Sequence, residues 1–290
     1  MFPGCLTALV TPFRDGAVDT KALADLVEEQ IAAGVNGLVP CGSTGESATM
    51  SHEEHLTVVR EVVRVARKRV PVVAGTGSNA TAEAIRLTRG AEELGADAAL
   101  LISPYYNRPT QDGIVRHYAA IADATRLPLI VYNIQARTAS NITAETMAQL
   151  AAIPRVVGVK EASGSIPQVL EILDLCGPAF AVWSGDDVIT LPLMASGAAG
   201  VISVVANVAP KRMVELTDAL RASDLARARR AHASLMPLFR ALTLEVNPIP
   251  VKTALAMMGR CADEFRLPLT PLTAKNRAIL EMTLREQGLV

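Results

Sequence analysis

DAALLIS (97–103), PLIVYN (128–133) and RVVGVK (155–160) are short apolar runs separated by longer amphipathic stretches. Each is rich in Val, Ile, Leu or Ala and lacks the strict apolar/polar alternation of a half-exposed strand, which is the pattern of strands covered on both faces. Working outward finds more of the same: CLTALV from Cys5, NGLVP from Asn36 and PVVAG from Pro71 on one side, FAVWSG from Phe180 and GVISV from Gly200 on the other. Eight such runs divided by helical segments predict a parallel sheet with crossover helices. The expected fold is of the α/β class, a (β/α)8 TIM barrel.

The segments between the runs carry helix punctuation. Asp19 can cap a helix whose apolar face includes Leu23, Leu26, Val27 and Ile31, with Gly34 where the chain must leave it. Ser51 and Glu54 form a capping-box pattern before the face of Leu56, Val59, Val62 and Val63. Gly34, Gly95 and Gly197 recur between helix and strand as a weak internal repeat. From about residue 208 the chain reads as helices only, broken by Pro210, Pro248 and the turn from Pro268 to Pro271. We therefore read residues 1–223 as the barrel with the active site and 224–290 as a C-terminal helical extension that covers the barrel or builds an oligomer.

Composition narrows the function. The chain has 290 residues, 50% hydrophobic and 3% aromatic, so a large core must be built from aliphatic residues. A formal net charge of -1 gives no global attraction to nucleic acid or anionic membrane, and neither is expected as a partner. No apolar run is long enough to span a bilayer. The N-terminal MFPGCLTALVTPF lacks the charged and apolar regions of a signal peptide. Cys5, Cys41, Cys176 and Cys261 are scattered without CxxC spacing, which fits a reducing, cytoplasmic setting.

In a barrel of this type the active site lies at the C-terminal ends of the strands and in the following loops. That rule selects Ser43, Thr44, Tyr105, Tyr106, Tyr132, Lys160, Gly185, Asp186, Asp187 and Ser203. Of six lysines, Lys160 alone follows directly on a buried-looking strand. It reads either as a solvated or ion-paired strand-end residue or as a Schiff-base amine, because shelter from water favours the neutral nucleophile. Tyr105, Tyr106, Tyr118 and Tyr132 are all the tyrosines of the chain, and three of them fall at strand ends. A phenol beside an amine can move the protons that imine formation requires, and a Thr hydroxyl can link phenols into a relay.

Other patterns weigh less. GSTGE (42–46) lacks the Gly-Lys-Ser/Thr of a nucleotide loop, and its amides and hydroxyls suit a carboxylate instead. Gly75, Gly77 and Ala80 satisfy GxGxxA, but no acidic residue ends the next strand to hold a ribose. The carboxylates of SGDD (184–187) disfavour a phosphorylated substrate. His52 and His55 in HEEH have i, i+3 spacing, which is not that of an HExxH zinc site, so surface or effector contact is the better reading and no metal is expected.

Taken together, GSTGES at Gly42, GTGSNATAEAI at Gly75, SPYYNRP at Ser103, YN with Arg137 and Thr138, GVKEASG at Gly158, SGDD at Ser184, GVISV at Gly200 and NPIPVK at Asn247 resemble the dihydrodipicolinate synthase family nearly end to end. That family belongs to the pyruvate-dependent class I aldolases, which also include N-acetylneuraminate lyase. The resemblance implies that Lys160 forms an imine with pyruvate and that the enamine attacks L-aspartate 4-semialdehyde, giving 4-hydroxy-tetrahydrodipicolinate for lysine biosynthesis without a cofactor. It further implies Tyr132 as the acid/base residue, joined through Thr44 to Tyr106 of a neighbouring subunit. Arg137 would receive the semialdehyde carboxylate, Ser43 and Thr44 the pyruvate carboxylate, and Gly185 and Ile202 would add backbone contacts. A homotetramer built as a dimer of dimers is implied too. Ser47, Ala48, His52, His55, Asn79, Glu83 and Tyr105 match the pocket through which L-lysine inhibits members of the family. Chemically, Glu83 suits an ammonium, and Asn79 and Tyr105 suit a carboxylate.

The chain departs from the family pattern at Ser43, where the synthases usually carry Thr, at Gln135 in place of Pro, and at Ala139 in place of Gly. Loss of the threonine methyl at position 43 frees a rotamer, and the other two changes bear on the loop that carries Arg137. Three alternatives therefore stand beside the synthase reading: an aldolase of the same superfamily acting on another 2-keto acid of sugar-acid or sialic-acid type, a non-enzymatic amino-acid-sensing paralogue, and, last, a dinucleotide oxidoreductase.

Overall fold

The computed structural model describes residues 1–290. Eight parallel strands form the sheet: β1 (Gly4–Ala8), β2 (Gly37–Val39), β3 (Val73–Gly75), β4 (Ala98–Ile102), β5 (Leu129–Asn133), β6 (Val156–Glu161), β7 (Ala181–Ser184) and β8 (Gly200–Ser203). Each matches one expected run. Neighbours pair in chain order and β8 pairs β1 in register from Gly4↔Gly200 to Thr7↔Ser203. Between β2 and β3 the ring closes through a Leu38↔Val72 bridge and the Gly75 N–H donating to the Pro40 carbonyl at 2.9 Å.

The helices of the barrel are α1 (Thr20–Ala32), α2 (His52–Ala66), α3 (Thr81–Glu93), α4 (Gln111–Ala124), α5 (Ala144–Ala151), α6 (Ile166–Cys176), α7 (Thr190–Ala195) and α8 (Pro210–Arg221). The caps read from sequence are made. Asp19 accepts from the Ala22 N–H, and Ser51 and Glu54 close a reciprocal capping box. Alternate strand residues point to opposite faces, which divides the apolar side chains into two layers. Leu6, Val39, Ile130, Tyr132, Trp183 and Ile202 fill the barrel interior, while Leu129, Val131 and Val159 face the helices. Each such aliphatic side chain contributes about 1.5–3 kcal/mol on full burial.

Three further helices follow: α9 (Leu225–Ala241), α10 (Ile249–Met257) and α11 (Ala274–Glu286). Their apolar faces share one core with Cys5 and Val201 of the sheet and with α8, so these helices pack directly on the barrel. One local feature was not legible in the sequence: a small hairpin pairs Phe13–Arg14 with Ala17–Val18. Pro237 lies inside α9, as the helical run expected through it implies. The glycines of the GxGxxA pattern have a packing explanation. A Cβ on Gly75 would meet the Cys41 carbonyl oxygen at 2.3 Å and one on Gly77 the Ile102 amide nitrogen at 2.3 Å.

Candidate active site

Tyr132 and Lys160 occupy paired positions on adjacent strands β5 and β6, and the pleat turns both side chains to the interior. Lys160 is buried, with its amine over the phenol ring of Tyr132 at 4.2 Å from the centroid. No carboxylate lies within ion-pair distance of this amine, which separates it from the ion-paired reading considered above. Space for the side chain is made by Gly185, where a Cβ would meet Ala162 Cβ at 2.6 Å and Lys160 Cε at 3.2 Å. The outward neighbours are locked beneath the site. Glu161 accepts from Asn133 Nδ2 at 2.9 Å and from the Ser163 N–H at 2.7 Å, and Asn141 donates to Gln168 at 2.7 Å.

Lys160 and Tyr132 open into a cavity of about 360 Å³ shared with Thr44, Arg137, Gly185, Asp187 and Asn247. Asp187 Oδ2 accepts from the N–H groups of Val204 and Val205 at 2.9 and 3.0 Å, and burial pushes its carboxyl above the usual range. Arg137 stands on the one-turn helix Gln135–Thr138, and Ala139 ends that turn at φ 56, a left-handed position in which the family Gly is replaced by an L-residue. The turn is nonetheless formed, and Arg137 Nη2 donates to the Asn247 carbonyl at 2.7 Å.

Not every expected residue joins this cavity: Ile202 is sealed inside the barrel below it. Gly185 borders it, but its N–H is spent on the Glu161 carbonyl at 2.7 Å. Within one chain the Thr44 hydroxyl does not bond Tyr132. Its oxygen accepts from Asn247 Nδ2 at 3.0 Å. Tyr106 is 90% exposed at φ 70 in the loop after β4, apart from the other three.

A second cavity, about 400 Å³, runs beside the first and is bordered by Ser43, Ser47, Ala48, His52, Glu83 and Tyr105, reaching Tyr132 and Arg137 at its inner end. His52 Nε2 lies 2.5 Å from a Glu83 oxygen, and Ser78 Oγ donates to the other. These two contacts hold the Glu83 carboxyl below the usual range, the serine contributing more. The surface reading of HEEH is corrected for His55. This residue is buried, its Nε2 donates to the Gly75 carbonyl at 2.7 Å, and burial depresses its imidazole below the ordinary value. Asn79 does not border this cavity, and its carbonyl accepts from Asn107 Nδ2 at 2.8 Å.

The sequence reading gave no role to Asn247 or Lys252, although both lie in the NPIPVK motif. Lys252 Nζ pairs with Glu46 at 2.6 Å with both side chains fully buried. Burial pulls the Lys252 amine below the ordinary lysine range, and the Glu46 carboxylate opposes that pull.

The model of the "Dihydrodipicolinate synthetase family" matches residues 1–287. The chain belongs to this family. A relative from Geobacter sulfurreducens, named 4-hydroxy-tetrahydrodipicolinate synthase, is 54% identical over all of both chains. Among solved structures similar to this family member, a chloride-inhibited dihydrodipicolinate synthase from Acinetobacter baumannii complexed with pyruvate superposes at a TM-score of 0.98 with 47% identity over all of both chains. DHDPS from Cyanidioschyzon merolae with lysine bound superposes at 0.97 with 39% identity, covering 100% of this chain and 99% of that one.

Proposed function

We propose that the protein condenses pyruvate with L-aspartate 4-semialdehyde through an imine on Lys160. The observation that carries this reading is the buried amine of Lys160, unpaired with any carboxylate and lying 4.2 Å over the Tyr132 ring in a cavity that also holds Thr44 and Arg137. The amine attacks C2 of pyruvate, and the phenol of Tyr132 protonates the hydroxyl that leaves as water. Loss of a C3 proton gives the enamine, whose C3 attacks the aldehyde carbon; the new alkoxide takes a proton, and the amino group brought by the semialdehyde attacks the imine carbon, closing the ring and expelling the Lys160 amine. Arg137 pairs with the aldehyde's carboxylate. Ser43 and Thr44, whose N–H groups have no backbone acceptor, bind the pyruvate carboxylate. These steps need no metal or organic cofactor.

Borohydride reduction in the presence of pyruvate tests the central step. The expected product is a single adduct on the peptide containing Lys160. No adduct, or one elsewhere, overturns the proposal. Faster turnover of a sugar-type keto acid than of pyruvate with the semialdehyde would instead favour the aldolase alternative.

The same reading makes the second cavity the site for L-lysine as effector, the ionised Glu83 receiving its ammonium in exchange for His52, with Ser47, Ala48, His55 and Tyr105 around it and Asn79 brought in by loop movement. Initial rates that stay unchanged under titrated lysine, at both low and saturating pyruvate, would reject it. Tyr106, exposed and stranded in a single chain, is assigned to the active site of a neighbouring copy. The working unit is then at least a dimer, with a dimer of dimers the full assembly. The division at residues 223 and 224 falls between α8 and α9, and a cytoplasmic location fits four cysteines that are all free thiols. No helix is long and apolar enough to cross a membrane.

A further inference from the structure

Asn247 lies in the segment between α9 and α10, outside the eight β/α units, yet it touches two of the residues assigned to the chemistry. Its side-chain Nδ2 donates to Thr44 Oγ1 at 3.0 Å, and its backbone carbonyl accepts from Arg137 Nη2 at 2.7 Å. It borders both cavities. The segment is also held to the turn that carries Thr44. Glu46, two residues along that turn, is paired with Lys252 in the first turn of α10. Turn and segment are therefore joined at two points, Asn247 to Thr44 and Lys252 to Glu46.

A hydroxyl offers one proton and two lone pairs. Because the Asn247 amide takes one lone pair of Thr44, what remains is one proton to give and one lone pair to receive with. A link between two phenols requires that remainder. The donated N–H also polarises the Thr44 O–H and makes it a stronger donor. Free of the amide, the hydroxyl could rotate its proton elsewhere.

We propose that Asn247 is a positioning residue for the condensation, its side-chain amide occupying one lone pair of Thr44 so that the Thr44 proton stays free for the phenol of Tyr132. The inference rests on the function proposed above. Through Asn247 the C-terminal helical region sets the geometry of proton transfer without touching the reacting atoms.

Asn247→Asp is the decisive variant because it replaces a donor with an acceptor of nearly the same size. Thr44 then turns its proton to the new carboxylate and away from Tyr132. The expected result is a kcat lower by about 10- to 100-fold near neutral pH, with KM for pyruvate changed by less than about threefold. As pH falls, the introduced carboxyl takes up a proton and can donate again, so the ratio of variant to wild-type kcat rises toward acid. Burial of that group moves the recovery above the range of a free carboxylate. A purely structural defect would leave the ratio flat. Wild-type kcat in this variant, or a loss constant across pH, overturns the proposal. Should the variant not fold, Asn247→Ala decides: a kcat about tenfold lower with little change in KM supports the role, and an unchanged kcat overturns it. Borohydride trapping separates the two layers of argument. A wild-type protein that gives no pyruvate adduct refutes the function itself, whereas a wild-type adduct that forms at the same rate in both variants refutes only the role of Asn247.

Discussion

Two lysines are buried in this molecule over aromatic rings, and they do different things. Lys160 lies 4.2 Å over the Tyr132 ring at the mouth of the barrel; Lys252 lies 4.0 Å over the Phe13 ring beneath the turn that carries Thr44. The difference is the partner. Lys252 has Glu46 at 2.6 Å, and Lys160 has no carboxylate within ion-pair reach. A buried cation with a matched anion is a joint, because separating the two leaves an uncompensated charge in an apolar place. A buried amine without one is not tied up in an ion pair and stands open to an incoming carbonyl carbon. Burial by itself therefore does not identify a reactive lysine.

The largest expected effect breaks the comparison from the catalytic side. Lys160→Met should lower turnover by more than about 10⁴-fold, beyond what acid–base assistance alone supplies. The same variant should melt no lower than wild type, since it removes a cation without orphaning an anion. A large fall in thermal midpoint would mean that Lys160, like Lys252, is structural. Tyr132→Phe comes next. It removes one hydroxyl and keeps the ring under Lys160, so kcat should drop by about 10²–10⁴-fold with the fold intact. Wild-type activity in that variant would take Tyr132 out of the mechanism.

From the structural side, Lys252→Met strands Glu46 and should cost about 3–5 kcal/mol in denaturant unfolding. Adding Glu46→Gln to that variant should restore much of the loss, because no unpaired charge then remains. A single variant as stable as wild type would show that the pair is not the joint described.

How much of this contrast the sequence carried depends on the distance over which each signal acts. The strand runs and the caps at Asp19 and Ser51 are local, and all were readable because they follow from periodicity and nearest-neighbour hydrogen bonding. Lys160 and Tyr132 were readable because strand-end position in a barrel is itself a placement rule. The Glu46–Lys252 pair spans 206 positions and joins a glycine-rich turn to a helix outside the barrel units, so no spacing rule could reveal it. Asn247 is the same kind of case, 203 positions from Thr44. His55 was misplaced for a different reason. Its HEEH setting reads as exposed, yet it lies on the buried face of α2 with Val58, Val59 and Val62, where the Gly75 carbonyl accepts from it.

The smallest effect sharpens the comparison at the rim, where a second carboxylate is joined to the region beyond the barrel. Arg266 Nη1 donates to Glu54 at 2.7 Å, and that contact holds the Glu54 carboxyl at about 2. Here both side chains keep some contact with water, so the pair belongs to the scale of surface ion pairs, about 0.2–1 kcal/mol, rather than that of the buried joint. The pH dependence has a definite sign. A carboxylate depressed in the folded state contributes stability in full above its unfolded value of about 4.3 and loses it as pH falls toward the folded value. Wild type should therefore be more stable than Glu54→Gln at neutral pH, and the gap should narrow as denaturation curves are taken from about pH 5 toward pH 3. If the gap stayed constant across that window, the benefit of Glu54 would come from its capping hydrogen bond to the Ser51 N–H, which a glutamine retains only in part, and not from charge. If it widened, the charge on Glu54 would be destabilising, and the rim contact would be no joint at all.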